Sequence, residues 1–337
     1  MKLTRIFVPL VASMVLYSCA SNNLSYESKA FKNAYASIKA EELKKNLSVI
    51  ASDEMQGRDT GSEGQKKAGK YMIDFYKNIG VSYPKALGSY YQTVPKEALK
   101  SRGKELPESE NILAFIEGTE KPEEIIVVSA HYDHVGTKDG VVYNGADDDG
   151  SGTVAVMEIA EAFQQAKKAG KGPKRSILFL HVTGEEHGLL GSKYYADHPV
   201  YDMKNTVVDL NIDMIGRSDK ENEGKNYVYV IGSEMLSSEL KVINEAANKI
   251  THNLELNYKY DDPKDPMRLY YRSDHYNFAK SGVPVAFYFD GIHADYHQPT
   301  DDVDKIDFPL LQKRAQLVFA TAWELANRKD RIVVDKK

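Results

Sequence analysis

Three aspartates in a row, Asp147, Asp148 and Asp149, close the stretch YNGADDDGSG and run straight into a helix-forming segment. Adjacent carboxylates repel one another, so an ordered turn built from them needs a compensating positive charge. Acids and histidines recur at four further places, each at or just after an apolar, strand-like run. His131 and Asp133 follow IIVVSA, Glu185 and Glu186 follow ILFLHVT, Asp213 closes VVDLNI, and His297 lies in DGIHADYHQPTDD beyond VAFYF. Histidine mixed with carboxylates is a donor set that suits zinc, with cobalt or manganese as substitutes in vitro. A single catalytic zinc takes three protein ligands and keeps one position open. Five candidates stand here: His131, one of the triplet, Glu186, Asp213 and His297. They fit two ions about 3.5–4 Å apart that share a bridging carboxylate, and two dications would bring about +4 to the acidic turn.

Something must carry those side chains to one place. The segment GSEGQKKAGKYMIDFYKNIG spaces Ala68, Met72, Phe75 and Ile79 as one helical face and stops at Gly80. ENILAFIEG and EEIIVVSAH read as strands, the second too continuously apolar for any but a central position. Val156, Ile159, Ala160 and Phe163 form the face of a helix ending near Gly170. RSILFLHVTG, TVVDLNIDMIG, NYVYVIGS and VPVAFYFDG read as strands, and LLGSKYYADH as a short helix. SEMLSSELKVINEAANKI reads as a helix capped by Ser233 or Ser237. The last helix starts at Asp307-Phe308-Pro309 and carries Leu311, Ala315, Val318, Ala322 and Leu325 on one side. Alternating β and α elements imply an α/β fold: one three-layer domain, a mostly parallel sheet covered by helices on both faces. In such folds ligands bind beyond the carboxyl ends of the strands, which is where the acids and histidines fall.

In order along the chain, SAHYDH, NGADDDGSG, TGEEHGLLGS, NIDMIG and DYHQPTDDVDKID resemble the five blocks of the co-catalytic zinc aminopeptidases of metallopeptidase family 28, and the upstream SDEMQGRDTGSEGQKKA belongs to the same likeness. The resemblance implies a phosphorylase/hydrolase-like domain with a mixed central sheet. It implies that His131 and Asp213 hold one zinc, Glu186 and His297 the other, and that Asp148 bridges them, with a cis bond between Asp148 and Asp149. Asp133 would orient the His131 imidazole, Glu185 would be the general base that takes a proton from water, and Tyr296 a donor to the oxyanion. The residues themselves split His293 and His297 evenly as the metal ligand; only the resemblance favours His297. The implied substrates are peptides. A glutaminyl cyclase, which uses one zinc on the same fold, a carboxypeptidase and a non-catalytic binding lipoprotein are the alternatives.

Other readings fit less well. An EF-hand would need a Glu where Val156 stands, and GSGTVA lacks the acidic residue that a dinucleotide fingerprint requires downstream. There is no H-E-x-x-H and no G-x-S-x-G. A net charge of -5 with no dense basic run argues against nucleic acid. His134, His181, His187, His198, His252 and His275 are expected to be structural or surface residues, His275 nearest the mouth of the site. Segment 259–272 reads as a surface loop whose Met267, Leu269 and Tyr270 could shape a pocket.

At the N-terminus, a basic start (Lys2, Arg5), an apolar run from Ile6 to Leu16 and the sequence LYSC read as a secretory signal over residues 1–18 that ends in a bacterial lipobox. Cys19, the single cysteine of the 337 residues, would carry lipid and anchor the chain to a membrane, facing the periplasm. Residues 19–40 are then a lipidated polar tether, 41–330 the peptidase domain and 331–337 a C-terminal tail.

Overall fold

The computed structural model describes residues 26–336. The expected signal segment, its cleavage point and Cys19 lie outside the described residues.

Eight strands form one mixed, twisted sheet: β1 (Tyr91–Val94), β2 (Ser109–Ile116), β3 (Lys121–His131), β4 (Arg175–Val182), β5 (Thr206–Ile212), β6 (Tyr227–Ile231), β7 (Glu255–Asn257) and β8 (Val285–Phe289). Their order across the sheet is β1-β2-β4-β3-β5-β8-β6-β7. The middle four, β4, β3, β5 and β8, are mutually parallel. β1, β2 and β6 pair antiparallel with their inner neighbours, so the sheet is parallel at its centre and mixed toward its edges. Continuous apolar sequence is what a strand needs when both of its faces are covered, and β4, β5 and β8 are buried along their whole length.

Alternation along β3 divides the core. Ile126 and Val128 face a large cluster with helices α1 (Lys29–Ser37), α2 (Ala40–Ile50), α3 (Glu63–Ile79), α4 (Gly152–Lys168), α6 (Leu240–Ile250) and α8 (Phe308–Asn327). Ile125 and Val127 face a smaller cluster with α5 (Leu190–Asp197) and α7 (His275–Lys280). The expected three-layer α/β domain is therefore present. Local signals act where they were read: Ser62 accepts the Gln65 amide at the start of α3, Gly80 ends it in the left-handed region (φ 80°), and Asp307 caps α8 through the Leu310 amide.

Three boundaries differ from the sequence reading. Residues 29–40 are not tether. Phe31 stacks on Phe319 and meets Trp323 edge-on, and Ala34 is buried beside it, so α1 belongs to the core; one fully buried Phe contributes about 1.5–3 kcal/mol. The polar residues around α1 hide an apolar face too short to stand out from composition. Residues 331–336 are likewise docked, with Ile332 in the core and Asp335 accepting from Ser238. Finally, α6 begins at Leu240, and neither Ser233 nor Ser237 caps a helix at residue 233 or 237. Asp261 takes the Gly232 amide and the Ser233 hydroxyl, and Asp335 takes Ser238, so tertiary partners draw the first turn away from helical geometry.

Inside the helical layer, Glu158 of α4 is buried and accepts from Asn46 of α2 at 2.8 Å. Burial, with Glu161 and Glu42 nearby, raises its carboxyl from 4.5 to about 8. A carboxyl raised on folding contributes stability that is fully present below about pH 4.5 and is lost as pH rises through about 8. Glu158→Gln keeps an acceptor for Asn46 but cannot ionise. Urea unfolding should find the two proteins alike at pH 5 and the variant more stable at pH 8.5, by roughly 2–4 kcal/mol. Parallel pH profiles would contradict this.

Candidate metal centre

The four parallel central strands end on the same edge, and each delivers its part of the site there. β3 ends in His131, β4 leads into Glu185 and Glu186, β5 into Asp213, and β8 into the loop that carries His293, Tyr296 and His297. The aspartate triplet fills the turn before α4, and the Asp148–Asp149 bond is cis.

Asp148 lies in the middle. Its Oδ1 is 3.2 Å from His131 Nε2, which is 3.6 Å from Asp213 Oδ1. Its Oδ2 is 3.0 Å from His297 Nε2, which is 3.0 Å from Glu186 Oε2. The two oxygens of one carboxylate thus face two separate histidine–carboxylate groups. His131 Nε2, Asp148 Oδ2 and Glu186 Oε1 are buried and make no hydrogen bond. Unsatisfied buried donors and acceptors at such spacing are costly unless a cation meets them, so the donor set fits divalent metal. The electrostatics agree. Burial alone would depress the His131 and His297 imidazoles, yet the surrounding carboxylates outweigh it and raise both, His297 to about 10. The site demands positive charge.

The question posed by the triplet resolves into a division of labour. Only Asp148 faces the donor groups. Asp147 accepts from the Gly216 amide and pairs with His293 at 3.1 Å, and Asp149 accepts from the amides of Gly152 and Met214. Asp301 takes the amides of Asp147 and Asp148. His293 is therefore engaged with Asp147 behind the site, and His297 is the histidine that reaches Asp148. Underneath, the wholly buried Arg58 donates to the carbonyls of Ile50, Tyr132, Asn144 and Gly145, pinning both ends of the loop between β3 and the triplet. A Cβ on Gly152 would fall 2.4 Å from the Asp149 carboxylate, which explains a small residue at the entry to α4.

Asp133 does something other than expected. His131 Nδ1 lies 3.0 Å from the Asp133 main-chain carbonyl, whereas the Asp133 carboxylate is 3.8 Å away. That carboxylate accepts from the Thr60 hydroxyl and from the Glu185 amide instead. The backbone orients the imidazole, and the side chain positions the Glu185 segment. The two-residue spacing from His131 allowed either arrangement.

Glu185 is half-buried and borders a cleft of about 370 Å³ together with Asp148, Asp213 and Tyr296. It belongs to neither donor group. Burial, then the carboxylates of Asp213, Glu186 and Asp274, raise its carboxyl well above the usual range, against a downward pull from His131. Met214, Leu269, Phe287, Phe289 and Ile292 form the apolar wall of the cleft, with Arg272 at its rim. Of the loop 259–272, Leu269 reaches this wall, Tyr270 is buried behind it and Met267 points to solvent. His275 is not at the mouth: it is fully buried and stacks on Phe287. His181, His187 and His252 hydrogen-bond to Tyr76, Asp59 and Tyr35, as structural residues do, and His198 stacks on Tyr194. His134, grouped with these beforehand, lies instead against Glu186. Tyr296 stacks on His297 with ring centroids 3.9 Å apart.

Acids and histidines gathered beyond the carboxyl ends of parallel strands define a metal-dependent α/β protein. The chain is a member of peptidase family M28, whose family model matches residues 111–322. A probable leucine aminopeptidase of Arthroderma otae is 31% identical over 222 residues, which are 64% of this chain and 57% of that protein. The chain spans little more than half the length of such curated relatives. Among solved structures, the LapA aminopeptidase of Legionella pneumophila superposes with a TM-score of 0.69 over 98% of this chain and 81% of its own, at 19% identity. The glutaminyl cyclase of Porphyromonas gingivalis does so with a TM-score of 0.65 over 84% of this chain and 97% of its own, at 18% identity. At these identities the likeness is one of fold.

Proposed function

We propose that the protein is a zinc-dependent aminopeptidase that removes N-terminal residues from peptides using two cations. The observation that carries this reading is Asp148, whose two oxygens face two complete donor groups while Glu185 stands beside them uncommitted. His131 and Asp213 would hold one cation, Glu186 and His297 the other, with Asp148 shared. When bound, the pair supplies a polarised scissile carbonyl and a more acidic water. Glu185 takes a proton from the attacking water and returns it to the leaving amine. The Asp133 carboxylate, through the Glu185 amide, holds that segment in place. The apolar wall formed by Met214, Leu269, Phe287, Phe289 and Ile292 fits a leucine-like side chain at the cleaved position.

The test is a panel of aminoacyl-nitroanilides beside N-acetylated peptides, with zinc quantified in the same sample. Release from free amino termini with two zincs per chain is the expected result. Cyclisation of N-terminal glutamine with one zinc would replace the reading by a glutaminyl cyclase; cleavage from the carboxyl end would make it a carboxypeptidase; two zincs without turnover would make it a binding protein.

Tyr296, held against His297 at the cleft, donates its hydroxyl to the oxyanion. Tyr296→Phe should lower kcat about 10²-fold and leave KM within a small factor, since the bond forms only as charge develops. An equal loss confined to KM would assign Tyr296 to substrate binding.

The sequence of residues 1–19, with its basic start, apolar run and LYSC, supports a lipid anchor on Cys19 that faces the periplasm. Among the described residues no helix is long and apolar enough to cross a membrane. Cys19→Ala should release the protein into the soluble periplasmic fraction; unchanged membrane retention would remove the lipid anchor from the proposal.

A further inference from the structure

His134 is the buried group that the proposed chemistry leaves unused. It is fully buried, and neither ring nitrogen makes a hydrogen bond. Yet Nδ1 is 2.8 Å from Glu186 Oε1 and 3.7 Å from Asp148 Oδ2, and its ring meets that of His297 edge-on at 5.7 Å. At 2.8 Å the contact with Glu186 is close enough for a hydrogen bond but lacks the angles of one, because both atoms are orphaned. His131 Nε2 has the same signature beside Asp148: a short approach to a carboxylate oxygen, complete burial and no hydrogen bond. In both cases a histidine nitrogen and carboxylate oxygens converge within ligand spacing, and His134, Asp148 and Glu186 make one such group as His131, Asp148 and Asp213 make another.

The backbone holds His134 in that position. Its amide donates to the Arg58 carbonyl, and Arg58 in turn binds the Asn144 and Gly145 carbonyls just before the triplet. Gly145 (φ 54°) packs flat on the imidazole: a Cβ there would lie 2.5 Å from its Cγ and Cδ2. A histidine wedged between a glycine and two carboxylates, with no hydrogen bond from either ring nitrogen, is poorly explained as a packing residue.

We infer that His134 is a further protein ligand of the second cation, joining Glu186, His297 and the shared Asp148. This rests on the two-cation reading and adds an asymmetry to it. The first cation has His131 and Asp213 besides Asp148; the second has three side chains besides Asp148. The second is therefore the tightly held one, and a chelator strips the first before it.

Calorimetric titration of the metal-free protein with Zn²⁺ tests this directly. Wild type should show two binding events of unequal affinity. His134→Ala should weaken the tighter event at least tenfold and leave the other in place, with the fold checked by circular dichroism. Two events that His134→Ala leaves unchanged, or weakens equally, would overturn the assignment while leaving the two-cation reading standing; absence of two events in wild type would remove both. Should the variant fail to fold, zinc X-ray absorption on the wild-type holoprotein decides the matter. Three imidazoles shared by two zincs, about one and a half per zinc, support His134, and one per zinc overturns it.

Discussion

Glu185→Ala keeps its metal and loses nearly all of its turnover. The expectation rests on where Glu185 stands. It lines the cleft with Asp148 and Asp213 but belongs to neither donor group, so its removal takes no ligand from a cation. The hydrogen bond that its main-chain amide donates to Asp133 Oδ1 survives truncation of the side chain, so the loop carrying Glu186 stays in place. What is lost is a proton acceptor beside the attacking water. General acid–base groups contribute typically 10²–10⁴-fold, and Glu185 is asked to act twice, first as base and then as acid. A fall in kcat of about 10³-fold or more, with zinc content unchanged, is the expected result; Glu185→Gln, isosteric and without a titratable proton, should be as slow. Near-normal kcat in a metal-replete variant would sink the assignment. A variant that also loses zinc would show that Glu185 is a ligand.

How much of this was legible depended on the range of the interaction. The central strands were readable because a strand covered on both faces must be apolar throughout, and their ends could be marked to within a residue or two. Knowing that β3, β4, β5 and β8 are parallel neighbours then places His131, Glu186, Asp213 and His297 on one edge with no further information. What sequence could not supply is the direction of a side chain within a loop. His134 lies three residues from His131, and nothing in that spacing says whether it turns to solvent or toward Glu186; the available signal was a second histidine in a short block already rich in ligands. The carboxylate of Asp133 and the carbonyl of the same residue compete for one imidazole, and only the loop conformation decides between them. Arg58 is the one basic residue in GRDTGS, yet it ties together four carbonyls from three segments, a role set wholly by tertiary contacts.

The same limit explains the misplaced ends. Residues around α1 are polar enough to read as tether because only Phe31 and Ala34 of that helix are buried, and Phe31 finds its partners in Phe319 and Trp323 of α8, nearly three hundred residues away. Ser233 and Ser237 have the chemistry of helix caps, but Asp261 and Asp335 offer the backbone and hydroxyls of that stretch better partners. Local propensity loses to a buried or charge-assisted bond whenever one is within reach.

Asp148→Ala tests the centre of the proposal by a different route, because it should weaken the binding of both cations at once. Each other ligand serves one side: His131, with Asp213 beside it, approaches Asp148 Oδ1, and His297 approaches Oδ2. Truncating Asp148 leaves His131 with Asp213 on one side and His297, Glu186 and His134 on the other, each short of the shared ligand. Ligand binding stabilises the folded state in proportion to the logarithm of concentration over dissociation constant, about 4 kcal/mol at a thousandfold excess. Wild type should therefore show a Tm that rises by several degrees or more on adding Zn²⁺ to chelated protein, and the variant a much smaller rise. The variant's metal-free Tm is informative in its own right. Without metal, His131 and His297 hold the Asp148 carboxyl well below the usual carboxylate range, so its removal takes two favourable contacts from the chelated protein. Chelated Asp148→Ala should accordingly melt no higher than chelated wild type, and it is inactive. If the variant retained one tightly bound zinc per chain with its full stabilisation, the two donor groups would be independent sites, and the shared carboxylate on which the mechanism depends would have to be abandoned.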